Sequence, residues 1–250
     1  MAIVGTAATM KDILERILAY LPGYFLDVGR LFASPKEFIG SKDLESDSEF
    51  VSSVLFSAVT TVILFTLNIP ISTETGDLWT RLAVKCANAS ISAILLGVCV
   101  LGGFAAVGRK GQAKPIFIIT IYYSTMMNII TATFQLLSIG FWKTYAPELF
   151  EKYQKLDKVY QGNLSRLLID WWPEIRNQPD VYVVVVSIAL IIIGALAAFI
   201  WLFVGWGSFR KLSGLPRWKS CIAFVIVVVL VVPISIVAYL ISVATRGEIE

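Results

Sequence analysis

The chain has 250 residues, of which 57% are hydrophobic and 16% charged, with a net charge of +3 and no histidine. Soluble domains carry about 25% charged residues, and a mean hydropathy of +0.76 is more than a soluble fold of this size can bury, so lipid is the expected solvent. The small charge gives no reason to expect a nucleic-acid partner, and the lack of histidine removes the commonest metal ligand and the commonest base near neutral pH.

The N-terminal tail, residues 1–49, opens without a long apolar core behind a positive start. The first span is therefore expected to act as the insertion signal. Thr9 and Asp12 have capping-box spacing for a helix start. Ile13, Ile17, Tyr20, Leu21, Tyr24, Val28 and Phe32 then recur at three and four residues, with Lys11, Glu15, Arg16 and Asp27 on other faces. This predicts an amphipathic helix, interrupted near Pro22-Gly23, lying in the membrane interface or binding a partner. A short acidic linker follows, from Asp43 to Glu49.

The remainder, residues 50–250, reads as one membrane domain. A spanning helix needs about 20 apolar residues. Five runs qualify: Phe50 to Pro70, Cys86 to Val107, Ile116 to Phe141, Val181 to Trp206, and Cys221 to Ala244. None holds a charged residue. The loop from Ile71 to Lys85 is balanced in charge, with Glu74, Asp77, Arg81 and Lys85. The loops from Gly108 to Pro115 and from Gly207 to Ser220 are purely basic. The positive-inside rule puts those two in the cytoplasm, which gives a five-helix, all-α bundle with the N-terminus in and the C-terminus out. The expected location is the cell (cytoplasmic or inner) membrane, or an endomembrane in a eukaryote.

Within the bundle, Ala89, Ala93 and Gly97, and again Gly194 and Ala198, set small residues at four-residue steps suited to close helix packing. Cys86, Cys99 and Cys221 have no paired spacing and read as small buried apolar residues. The third run is the most polar. Its candidate intramembrane face is Tyr123, Asn128, Thr131 and Gln135, expected to point into the bundle either as interhelical hydrogen bonding or as a solute pathway. Pro233 predicts a kink in the fifth run.

Between the third and fourth runs, residues 142–180 read as two short helices, the first opening at Pro147 and stopping at Gly162. Phe150, Tyr153, Tyr160, Trp171 and Trp172 form a candidate outer docking surface, or a cap lying at the headgroup level. In the last basic loop, Arg210, Lys211, Arg217, Trp218 and Lys219 form a candidate contact for anionic lipid or a partner. The other reading of that loop is a plain topology determinant.

No ionisable side chain lies within a span, where ion-coupled carriers and proton relays place theirs. Asp77, Glu148, Asp170 and Glu174 are scattered over the outer loops and read as solvated surface. The sequence therefore predicts no enzyme, no cofactor and no metal. The expected partners are membrane lipids and another integral membrane protein or transporter complex, with a homo-oligomer as a further possibility.

Three features together resemble the Yip (Ypt-interacting protein) family of five-helix membrane proteins, in particular its short bacterial members. The first is Leu31-Phe32-Ala33-Ser34-Pro35-Lys36-Glu37-Phe38, similar to the family's Pro-x-x-Phe before the first span. The second is the set of five spans with the N-terminus inside. The third is Arg210-Lys211-Leu212-Ser213-Gly214-Leu215 with Arg217 and Lys219, similar to its leucine-serine-glycine turn. Asn177, Pro179 and Tyr182 resemble an Asn-Pro-aromatic start to the fourth span. The likeness covers about residues 28–245 and lacks the acidic Asp-Leu and Gly-Tyr signatures of the trafficking members. It implies a non-enzymatic membrane protein acting through partners or lipids: an accessory or scaffolding subunit of an assembly such as a transport system. The alternatives are an autonomous small transporter, channel or lipid-handling protein, and a trafficking or membrane-shaping factor.

Overall fold

A computed structural model describes residues 2–71, 77–109, 112–160, 176 and 180–247; within these, the side chains of 2–14, 16–18, 71, 156–160, 232 and 234–247 lie outside the description. Among the described residues all regular structure is helical. The order is α1 (Ala2–Ala33), α2 (Pro35–Gly40), α3 (Asp47–Asn68) with a single 3-10 turn at Ile69–Ile71, α4 (Leu78–Ala106), α5 (Ala113–Tyr145), α6 (Pro147–Tyr160), α7 (Val181–Ser213) and α8 (Arg217–Gly247). Helix is the form in which a single segment satisfies every backbone polar group inside lipid. Four of these helices, α3, α4, α5 and α7, are long and apolar enough to cross a membrane, with mean hydropathies of 2.1, 2.1, 1.4 and 3.1. The chain is a multi-pass membrane protein. The last apolar run lies in α8, 31 residues of helix that continue through Pro233.

The helix ends differ from the hydropathy edges for local reasons. α4 starts at Leu78, eight residues before its apolar run, because Asp77 caps it. The Thr80 N–H and hydroxyl donate to Asp77 Oδ2 at 2.9 and 3.2 Å. Asp77 is thus a cap and not merely solvated surface. α7 runs on to Ser213, so the expected loop from Gly207 shrinks to Gly214-Leu215-Pro216. Arg210 and Lys211 occupy the last turn, where the helix dipole favours cations. Gly214 stops the helix at φ +64°, with its N–H donating to the Arg210 carbonyl at 3.0 Å. α1 corrects two expectations. It begins at Ala2, so Thr9 and Asp12 lie inside it, and it continues through Pro22. Tertiary contacts on either side of Pro22 hold the helix across the lost hydrogen bond: the Tyr20 hydroxyl donates to the Ser52 carbonyl, and Tyr24 bonds to Thr60.

The chain divides into two compact units. The first comprises Met1–Thr61, Cys86–Met126 and Leu202–Glu250. Its core is aromatic and is organised around two neighbours on α5, Tyr122 and Tyr123, both fully buried. Successive helical residues point about 100° apart, so the two rings serve different helices. Tyr122 meets Phe56 of α3 and Phe38 of α2 at 5.1 and 5.2 Å, and Phe56 meets Tyr24 of α1 at 5.2 Å. Tyr123 meets Phe209 of α7 at 5.8 Å, and its hydroxyl pairs with Ser208 Oγ at 2.8 Å. Phe209 continues to Trp206, and Trp206 to Phe104 and Phe224. The Trp206 indole N–H donates to the Ser220 carbonyl and hydroxyl at 3.1 and 2.9 Å, joining α7 to α8. α4 and α8 cross closely at Gly103, where a Cβ would stand 2.8 Å from the Ala223 carbonyl oxygen. Gly97 likewise admits the Phe117 ring, so this small-residue stripe serves packing. Of the cysteines, Cys99 is buried, Cys86 half-buried and Cys221 exposed. The expectation of three buried thiols fails at Cys221, which lies on an outward face of α8.

The second unit comprises Val62–Lys85 and Met127–Trp201. Its core is Trp142, Ala146, Phe150, Val183 and Val184. Trp142 packs on Phe150 at 5.8 Å and on Tyr153 at 4.8 Å. α5 and α7 are joined by reciprocal serines: Ser138 Oγ donates to the Ser187 carbonyl at 3.0 Å and Ser187 Oγ to the Ser138 carbonyl at 3.4 Å. Gly194 makes room for Phe134.

Candidate functional site

The densest polar chemistry among the described residues lies in the first unit around Lys42, a residue the sequence reading did not single out. Lys42, in the turn between α2 and α3, sets its ammonium 3.3 Å from Asp27 Oδ2 of α1 and 3.5 Å from Glu49 Oε1 of α3. The Tyr122 hydroxyl donates to the same Glu49 oxygen at 2.7 Å. The ammonium also sits 4.7 Å above the Phe38 ring and 5.6 Å from that of Tyr122, a cation–π arrangement. The three charged side chains are only 15–19% exposed. Two carboxylates thus share one cation, and the tyrosine hydroxyl satisfies part of the surplus charge. Burial, reinforced by Asp27 and Glu49, pushes the nearby Tyr20 hydroxyl well above the ordinary tyrosine value, so Tyr20 stays neutral. A second tie lies at the start of α5, where Lys114 Nζ donates to the Glu45 carbonyl at 2.6 Å and to Asp47 Oδ1 at 2.5 Å. The acidic linker is therefore tied by Lys114 at Glu45 and Asp47 and by Lys42 at its last residue, Glu49. The chemistry is that of a closed ionic lock: every charge in it is answered by another protein group.

The only sequence signal for the lock was Lys42 at the head of an acid run. Asp27 and Tyr122 are too distant in sequence for any spacing rule to join them to it.

The basic set is also in the first unit. Arg210, Lys211, Arg217 and Trp218 are exposed and Lys219 is half-buried, its ammonium 5.4 Å from the Trp218 ring. Two cations that sequence reasoning did not include join them. Lys36 lays its side chain against Gly207, where a Cβ would collide with it, and Arg109 Nη2 comes within 4.0 Å of the Cβ position at Gly214.

The outer docking set lies in the second unit as far as it is described. Phe150 is buried, 5% exposed, and Tyr153 is half-buried against Trp142. Both belong to the core under α6 and not to a free surface, because α6 turns its apolar face onto the end of α5. The Tyr160 side chain, Trp171 and Trp172 lie outside the described residues, as do Gly162, the expected stop of the first short helix, and the second expected helix.

The polar face of α5 is not one face. Tyr123 is buried, whereas Asn128, Thr131 and Gln135 are exposed. The step from 123 to 128 turns about 140° around the helix, whereas 128, 131 and 135 share a stripe. Thr131 satisfies its hydroxyl on its own helix, at the Met127 and Asn128 carbonyls. Asn128 and Gln135 have no side-chain partner among the described residues. The expectation that this helix buries its polar groups holds for Thr120, Tyr122, Tyr123, Thr125 and Ser138, and fails for this stripe.

The N-terminal amphipathic stripe is divided in the same way. Of its residues, Tyr24 is buried, Tyr20, Leu21 and Val28 are half-buried and Phe32 is 61% exposed, while the side chains of Ile13 and Ile17 lie outside the description. Among the described residues no group of His, Cys, Asp and Glu is placed to hold a metal ion. Comparison with protein-family models, with curated proteins and with solved structures found no match.

Proposed function

We propose that this chain is a non-enzymatic accessory or scaffolding subunit of a larger membrane assembly, such as a transport system in the cell membrane. In this reading α8 is a fifth span, and the two basic segments lie on the cytoplasmic side with the N-terminus. The observation that carries the proposal is the exposed stripe of Asn128, Thr131 and Gln135 on a helix apolar enough to cross a membrane. An amide facing hydrocarbon leaves donors and acceptors unanswered. Polar side chains at helix–helix contacts in lipid are worth about 0.6–2 kcal/mol each, so two amides on one stripe favour a neighbouring transmembrane helix. The same stripe tells against a pathway shared with Tyr123, which lies on another side of α5. The resemblance to the Yip family agrees with action through partners and rests on its short motifs alone.

The test is a pull-down of tagged full-length protein in nanodiscs, with mass spectrometry. A membrane protein should co-purify in fixed stoichiometry and be lost on Asn128→Leu with Gln135→Leu, the variant itself remaining folded. Recovery of the chain alone, with solute flux in liposomes that the same double variant abolishes, would replace this reading with an autonomous transporter.

A further inference from the structure

We propose that α2, the end of α7 and the turn after α4 build a binding site for the phosphate of an anionic phospholipid, with Lys36, Arg109, Arg210 and Lys211 as its cations. The structure gathers these residues from three places in the sequence. The Lys36 side chain lies along α7 over Gly207, the Lys211 ammonium comes 3.7 Å from the Cβ position of Gly40 at the end of α2, and the Arg109 guanidinium reaches the Gly214 turn. All four cations are exposed.

What distinguishes them is the lack of internal compensation. In the same unit Lys42 and Lys114 are answered by Asp27, Glu49 and Asp47. No ion pair is formed by Lys36, Arg109, Arg210 or Lys211 among the described residues. Glu37 is the acid nearest in sequence to Lys36, and it too is exposed. The Gly214-Leu215-Pro216 turn leads directly into α8, whose first amide groups have no intrahelical partner and add a positive dipole end.

Two features favour a lipid over a free anion. Arg109, Arg210 and Lys211 stand at or just past the ends of helices able to cross a membrane, where headgroups would lie, and the Lys36 side chain rests against the last turns of one of them. Phe32, shortly before Lys36, is 61% exposed, and Trp218, beside Arg217, is 62% exposed. Such side chains suit the boundary between headgroups and acyl chains. The site goes beyond the subunit proposal, because it needs no protein partner.

The test uses purified full-length protein in nanodiscs of phosphatidylcholine, titrated with phosphatidylglycerol and read by native mass spectrometry. Inorganic phosphate is the competitor. A basic residue near an anionic surface contributes roughly fivefold in affinity, so Lys36→Gln, Arg109→Gln and Lys211→Gln combined should weaken binding on the order of 100-fold. Lys143→Gln with Lys155→Gln, which removes exposed charge from the second unit, should leave binding unchanged. The charge-preserving set Lys36→Arg, Arg109→Lys and Lys211→Arg should retain it, which separates loss of charge from loss of fold. Wild-type binding by the triple glutamine variant, equal loss in the control, loss in the charge-preserving set, or full displacement by millimolar inorganic phosphate would each overturn the proposal. None of these readouts depends on whether a partner co-purifies.

Discussion

The two units hold their helices together by different chemistry. In the first, the joints carry polar side chains: Lys42 between Asp27 and Glu49, Tyr122 on Glu49, Tyr123 on Ser208, Tyr24 on Thr60, and Trp206 on Ser220. In the second, the joints described are mostly aromatic and apolar: the Trp142 cluster, Phe134 against Gly194, Arg81 of α4 over the Phe65 ring of α3 at 5.6 Å, and one reciprocal serine pair, while the side-chain amides of Asn128 and Gln135 have no partner among the described residues. Where directional bonds are answered internally, the arrangement of helices is fixed by the chain itself. Where packing dominates and polar groups face outward, part of the specification is left to a neighbour.

The comparison is broken most severely by removing the anchor of the second unit. Trp142→Ala should cost about 4 kcal/mol, the range for emptying a buried large aromatic site. Hydrogen exchange should rise through residues 138–153 and 181–187 while residues 20–60 stay protected. Equal loss of protection in both would mean the units do not respond separately. Next in size is Lys42→Ala, which leaves Asp27 and Glu49 facing each other without a cation. Breaking a well-buried ion pair costs 3–5 kcal/mol. Partial exposure of this one puts the expected loss at about 2–3 kcal/mol, measured by denaturant unfolding in detergent, against a change within about 0.5 kcal/mol for the exposed Lys143→Ala.

The smallest effect sharpens the comparison through pH. Burial holds the folded-state Tyr20 hydroxyl above the ordinary tyrosine value of 10.0. The unfolded chain therefore releases that proton first as pH rises, and stability present below pH 10 is lost above it. Tyr20→Phe should remove this component, so the melting-temperature difference between variant and wild type should shift in favour of the variant as pH passes 10. A constant difference across that range would mean that Tyr20 is not shielded as described.

Much of the helix inventory was legible in the sequence, because run length and hydropathy act on each segment alone. Pro147 marks the start of α6, and α5, which holds the third run, has the lowest mean hydropathy of the four candidate spans. Faces were less legible. Helical period alone separates Tyr123 from Asn128 by about 140°; in lipid, however, both directions accept apolar groups, so period does not tell which of the two sides faces inward. Phe150 and Tyr153 looked like a docking surface because an aromatic stripe has the same spacing whether it meets the chain's own α5 or another protein. The lock was hidden for a different reason. Its charges come from segments that meet only through tertiary packing, and each in isolation resembles an ordinary solvated residue.

The adjacent tyrosines of α5 have a mechanical meaning. One ring and hydroxyl are engaged by Glu49 and the other by Ser208, roughly a quarter-turn apart around the same helix. Rotation of this turn in either sense would draw both hydroxyls off their partners together. The first unit thus keys α5 like a shaft with two pins, and any working motion that preserves these contacts must tilt or translate that turn with its neighbours instead of twisting it between them.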